Sequence, residues 1–186
     1  MIYYKYNFIV YHAYNWQIGG NKMDGHIIKT CCFTGHRKIP TEQTEQIIER
    51  IEKVLIGLIH EKFNCFMTGG ALGFDTLAAQ TVLRLKAQFP DIRLILALPC
   101  ETQAKGWKHE DQHLYEEIKL AANQVIYTSS AYYRGCMHKR NRYLVDHSSI
   151  CICYLKKPTG GTAYTVNYAK KHGRFVINIA EESDNP

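Results

Sequence analysis

Met67-Thr68-Gly69-Gly70-Ala71-Leu72-Gly73-Phe74-Asp75 joins two different patterns. The apolar run Phe63 to Met67 before it reads as a strand, and Thr76-Leu77-Ala78-Ala79-Gln80 after it reads as a helix. A chain that passes from strand to helix through glycines is committed to a β–turn–α unit. Glycine lets backbone N–H groups approach a ligand, and the helix start behind carries unpaired donors and partial positive charge. The combination suits a phosphate, although one such turn is often only a tight connection. Asp75, beside the helix start, either caps the helix or accepts hydrogen bonds from ribose hydroxyls. A valine at Gly70 is expected to crowd the seat without unfolding the domain. The spacing is neither G-x-x-x-x-G-K-[ST] nor G-x-G-x-x-G, which excludes a P-loop ATPase.

The same alternation runs along the chain from Lys29. Strands are expected at Lys29 to Thr34, Asn64 to Thr68, Ile92 to Leu98, Val125 to Thr128, Ile150 to Leu155 and Phe175 to Ile179. Ile92 to Leu98 is apolar throughout, as in a strand covered on both faces. Helices are expected after Pro40-Thr41, after Asp75 to about Gln88, over much of 101–122, around Lys139 to Asp146, and from Ala163 to His172. Ile47, Ile51, Val54, Leu55, Leu58 and Ile59 give the first helix an apolar face. This is an α/β chain: a mainly parallel sheet with helices on both faces, in a single domain. Ligands in such sheets bind beyond the carboxyl ends of the strands, where strand order reverses.

The 186 residues suffice for one core. The net charge of +6 permits an anionic ligand without requiring nucleic acid. Seven cysteines, an odd number with no C-x-x-C pair, read as free thiols in a reducing cytoplasm. No metal-spaced His/Cys cluster and no catalytic triad order is visible, so no metal and no catalytic residue is assigned. No run is apolar for long enough to cross a membrane. Residues 1–22 are aromatic-rich and lack Asp and Glu, and they read as a non-native or disordered extension. Translation is expected to begin at Met23, and the domain to span 23–186.

The remaining distinctive turns also follow strands. Gly35-His36-Arg37 places a tight turn beside an arginine able to hold a phosphate with two hydrogen bonds. Gln103 and Trp107 follow the third strand; Trp107 either stacks on a base or fills the core edge. In His138 to Asp146, Arg140 and Asn141 are candidate site residues, and Arg142 is spaced to pair with Asp146. Gly160-Gly161-Thr162 is a second phosphate-type turn, with Thr162 either capping the helix or offering its hydroxyl to a phosphate.

Thr34-Gly35-His36-Arg37, Thr68 to Asp75, Gln103 to Trp107, Arg140 to Asp146 and Gly160-Gly161-Thr162 follow the order seen in the SLOG superfamily, and the chain resembles its YpsA-like branch. The resemblance covers about residues 28–180. It implies a Rossmann-like bacterial domain that binds a nucleotide or a nucleotide-derived, ADP-ribose-like ligand, and a sensor role is expected for this chain. The implied contacts are Gly35, Arg37, Gly69, Gly70, Gly73, Phe74, Asp75, Trp107, Arg140, Asn141, Gly160, Gly161 and Thr162. No cofactor is named, and a homo-oligomer is compatible with the pattern. Two relatives give alternatives. DprA/Smf proteins bind single-stranded DNA and carry an element similar to Arg140-Asn141-Arg142. LOG-type phosphoribohydrolases cleave nucleoside monophosphates with an acidic residue after their glycine-rich signature. Here Pro158 to Thr165 holds no Asp or Glu, which argues against that activity.

Overall fold

The structure is a computed structural model that describes residues 29–180. The reading of residues 1–22 therefore lies outside the described residues. Six strands form one sheet: β1 (Thr30–Gly35), β2 (Cys65–Thr68), β3 (Arg93–Leu98), β4 (Gln124–Tyr127), β5 (Ile150–Tyr154) and β6 (Phe175–Asn178). Five helices connect them: α1 (Thr44–His60, after a single 3-10 turn at Thr41–Gln43), α2 (Phe74–Leu85), α3 (His109–Ala121), α4 (Cys136–Asp146) and α5 (Gly160–Lys171). Strand order is β4-β3-β2-β1-β5-β6, and every pairing is parallel. The order reverses between β1 and β5, so the crevice of this Rossmann-like sheet opens at their carboxyl ends.

Strand alternation builds two unlike faces. Phe33, Phe66, Leu94, Leu96 and Ile152 join one core with Ile51, Val54, Leu55 and Leu58 of α1, Phe74 and Val82 of α2, and Tyr115 and Ile118 of α3. Cys32, Met67, Ile95, Ala97 and Cys151 face the other way and meet Leu144, Val145 and Ala169 of α4 and α5. Cys32, Ala97 and Cys151 are the small side chains of this second face. Cysteine serves here as a small hydrophobe; all seven are free, and six are buried.

Three helix starts differ from the expected ones. Gly106, at φ +83°, interrupts the 101–122 segment, so α3 begins only at His109. Gly135, in the left-handed conformation, precedes α4 and lets it begin at Cys136. Helix α5 begins at Gly160, with Thr159 as its N-cap, so the glycine turn is itself the first turn of the helix. Thr162 is therefore a helical residue and does not cap.

Candidate functional site

The β2–α2 junction does cradle an anion, and the anion belongs to the chain. The Ala71 amide donates to Asp75 Oδ2 at 3.4 Å, and the Gly69 amide also holds the carboxylate. Asp75 is the second residue of α2 and braces the turn instead of capping the helix. The helix start is closed from the other side, where the Phe74 amide donates to the His36 carbonyl at 3.1 Å. The turn's carbonyls are engaged as well. Gln103 Nε2 donates to Gly70 O at 2.6 Å and to Gly69 O at 3.2 Å, and Arg140 Nη1 also donates to Gly69 O.

Arg140 extends this bracing across the rim. Its Nε donates to Asn141 Oδ1, Asn141 Nδ2 donates to Thr165 Oγ1, and Thr165 Oγ1 donates to Gly161 O, each at 2.8 Å. A continuous relay thus joins the Gly69 turn to the Gly161 turn. Arg140 Nη1 also lies 3.9 Å from Asp75 Oδ2, and both side chains are almost fully buried. Burial pushes the Asp75 carboxyl up and the Arg140 guanidinium down, and each charge partly offsets the push on the other. Arg142 does not pair with Asp146. It donates to Tyr164 Oη at 3.1 Å, and Asp146 accepts from Tyr168 Oη.

The β1 and β5 turns are tied together by His36. Its Nε2 accepts the Lys156 amide at 2.9 Å, which places the ring proton on Nδ1. Burial, followed by the charges of Lys157 and Lys156, holds its pKa below the ordinary imidazole value.

These ties enclose a cavity of about 300 Å³ at the switch point. Of the sequence-derived candidates, Gly35, Arg37, Asp75, Arg140, Asn141, Gly161 and Thr162 line it. Gly70, Gly73 and Trp107 line an adjoining cavity of about 340 Å³, whose wall also includes Arg37 and Asp75. Gly69, Phe74 and Gly160 line neither. Phe74 is a fully buried core residue stacked on Tyr154. Trp107 is half-buried and meets Tyr115 edge-on, with ring centroids 5.4 Å apart.

The glycines divide by what surrounds them. A Cβ at Gly35 would meet the Phe74 side chain at 2.4 Å, one at Gly69 would overlap the Arg140 guanidinium, and one at Gly73 would meet the Arg37 carbonyl at 2.3 Å. These three permit protein to pack on protein. Gly70 has φ +61°, and its Cβ would come within 2.7 Å of Leu98, so valine there strains the fold and does not isolate a ligand seat. At Gly161 nothing lies within 4 Å and φ is not positive. Thr162 is 8% exposed, lines the cavity, and its hydroxyl has no hydrogen-bond partner among the described residues. Sequence reasoning missed Thr165 and the bracing role of Gln103. Gln103 had a signal in its spacing to Trp107, whereas Thr165 had none.

No helix among the described residues is long and apolar enough to cross a membrane. In fold the chain is similar to DNA processing protein A from Helicobacter pylori, a protein described for its single-stranded DNA binding mode. The TM-score is 0.59 at 17% identity, over 84% of this chain and 67% of that one. In sequence it is similar to the uncharacterised SPbeta prophage-derived protein YoqJ of Bacillus subtilis, 35% identical over 57% of this chain and 69% of that protein. It is also similar to a UPF0398 protein of Halalkalibacterium halodurans, 30% identical over 67% of this chain and 68% of the other. The family model for the YspA SLOG family matches residues 31–179, nearly the whole described fold. The chain belongs to the YspA SLOG family.

Proposed function

We propose that the protein binds a nucleotide-derived ligand of the ADP-ribose type, with its phosphates at the start of α5 in the switch-point cavity. The observation that carries this reading is the open first turn of α5. Its leading N–H groups have no intrahelical partners, nothing crowds Gly161, the Thr162 hydroxyl is unpaired, and Arg37 stands exposed on the cavity wall. The helix dipole and an arginine fork both favour a phosphate there. The Gly69 turn is assigned a supporting role, because its donors already hold Asp75.

Calorimetry against ADP-ribose, NAD and ADP tests the reading. Binding is expected, and Gly161→Val is expected to abolish it while leaving the unfolding midpoint unchanged. No heat with any of these ligands overturns it. Binding without turnover is the expected behaviour. Asp75 is the one carboxylate lining the cavity among the described residues, and it is held by backbone amides and Arg140. Incubation with nucleoside monophosphates is expected to release no free base.

A second reading, single-stranded nucleic acid, draws on exposed Tyr127 beside Lys139 and Arg142, on exposed Tyr132 and Tyr133, and on the fold shared with DNA processing protein A. Affinity for an oligonucleotide that falls steeply with salt and resists ADP-ribose competition would favour it.

A further inference from the structure

The adjoining cavity, between α2, α3 and the 3-10 turn, is unlike the switch-point cavity in chemistry. Ile39, Leu77, Leu114, Trp107 and Tyr115 give it an apolar and aromatic wall. Ligand sites commonly combine such a wall with a few fixed polar groups, and the Asp111 carboxylate is one on this lining. Tyr115 is only 5% exposed and offers the wall part of its ring, with its hydroxyl buried. Asp111, half-buried in the first turn of α3, has no hydrogen bond or ion pair among the described residues.

Charge separates the two ends. The switch-point end holds Arg37 and Arg140, with Lys156 and Lys157 close to His36. The second cavity adds the Asp111 carboxylate, which repels a phosphate and attracts a hydrogen-bond donor. Arg37 and Asp75 line both, so one molecule bridging them would touch each. We infer that the second cavity receives the base of the ligand, a planar ring bearing an exocyclic amino group, with Trp107 and Tyr115 against the ring and Asp111 accepting from the amine. This rests on the function proposed above and adds to it the orientation of the ligand and a preference among bases.

The test is calorimetry on the full chain with ADP-ribose and its hypoxanthine analogue, inosine diphosphate ribose, which carries a carbonyl where adenine carries the amine. Losing a hydrogen bond to a charged group corresponds to about a tenfold or greater loss of affinity. ADP-ribose is therefore expected to bind at least about tenfold more tightly than the analogue. Asp111→Asn is expected to erase that preference and to leave binding of inorganic pyrophosphate unchanged. Trp107→Leu is expected to weaken ADP-ribose about tenfold or more and to spare pyrophosphate. Should Trp107→Leu disturb folding, Asp111→Asn decides alone. Equal affinity for the two ligands, or a preference that survives Asp111→Asn, overturns the inference. If that happens while Gly161→Val still abolishes binding, the phosphate seat stands without this base site. If Gly161→Val leaves ADP-ribose binding intact, or ADP-ribose does not bind at all, the proposed function falls and the inference falls with it.

Discussion

Asp75 and Arg140 hold opposite charges where little of either side chain reaches solvent. Their separation of 3.9 Å is long for an ion pair, and the backbone contacts at Ala71 and Gly69 complete the compensation. Removing the cation leaves a buried, unpaired carboxylate, so Arg140→Met is expected to destabilise the fold by about 3–5 kcal/mol, as read by urea denaturation. His36 makes a different prediction. Because its folded pKa lies below the ordinary 6.5, the unfolded chain takes up a proton more readily than the folded one. The stability it contributes is complete above about pH 6.5 and is lost as pH falls through the lower, folded value. Protonation also removes the acceptor for the Lys156 amide. The unfolding midpoint is expected to drop from neutral pH toward about pH 5, and His36→Phe is expected to flatten that slope.

Among the elements, the two glycine turns look alike in sequence and do opposite work. The β2–α2 turn is a joint against which the β1 turn, α4 and Gln103 all press. The first turn of α5 is open. Gly73→Ala, at φ +76° with a carbonyl 2.3 Å from the new Cβ, is expected to cost about 2–3 kcal/mol. Gly161→Ala meets nothing and gains helix propensity, so the same thermal denaturation should show it unchanged or slightly more stable, by up to about 0.5 kcal/mol. Helices α4 and α5 act as one unit through Asn141 and Thr165. Asn141→Ala interrupts the relay between the two turns and should lower stability by about 1–2 kcal/mol in the same assay.

For the whole molecule, the proposed site lies where the two halves of the sheet diverge. β2, β3 and β4 lie on one side of β1, and β5 and β6 on the other, with α1, α2 and α3 on one face of the sheet and α4 and α5 on the opposite face. A ligand at this seam contacts both halves and binds only the assembled fold. At a free concentration about one hundred times its dissociation constant it adds about 2.7 kcal/mol. For a domain of this size that corresponds to a rise of about 5–10 °C in Tm. Differential scanning fluorimetry with ADP-ribose is expected to show that rise, and Gly161→Val to lose it.

Much of this architecture was legible in the chain. Hydrophobic runs, helical spacing and turn residues are local properties, and they marked all six strands, the parallel sheet, and the rim to which the distinctive turns belong. Boundaries slipped where a single glycine decided them, as at Gly106 and Gly135. The site was legible as a set of residues and not as an arrangement. Trp107 follows a strand whose carboxyl end faces the site, yet its ring lines the neighbouring cavity. Thr165 carried no mark, because its role depends on Asn141, 24 residues earlier. Sequence alone determined the β/α alternation and the positions where the backbone could come close to something. Only the tertiary structure decided what that something was. Arg140 reaches Gly69 across 71 residues, and Phe74 fills the space at Gly35, whereas nothing reaches Gly161. Close approach is a relation between elements brought together by packing, and no local pattern encodes which neighbour will occupy the space.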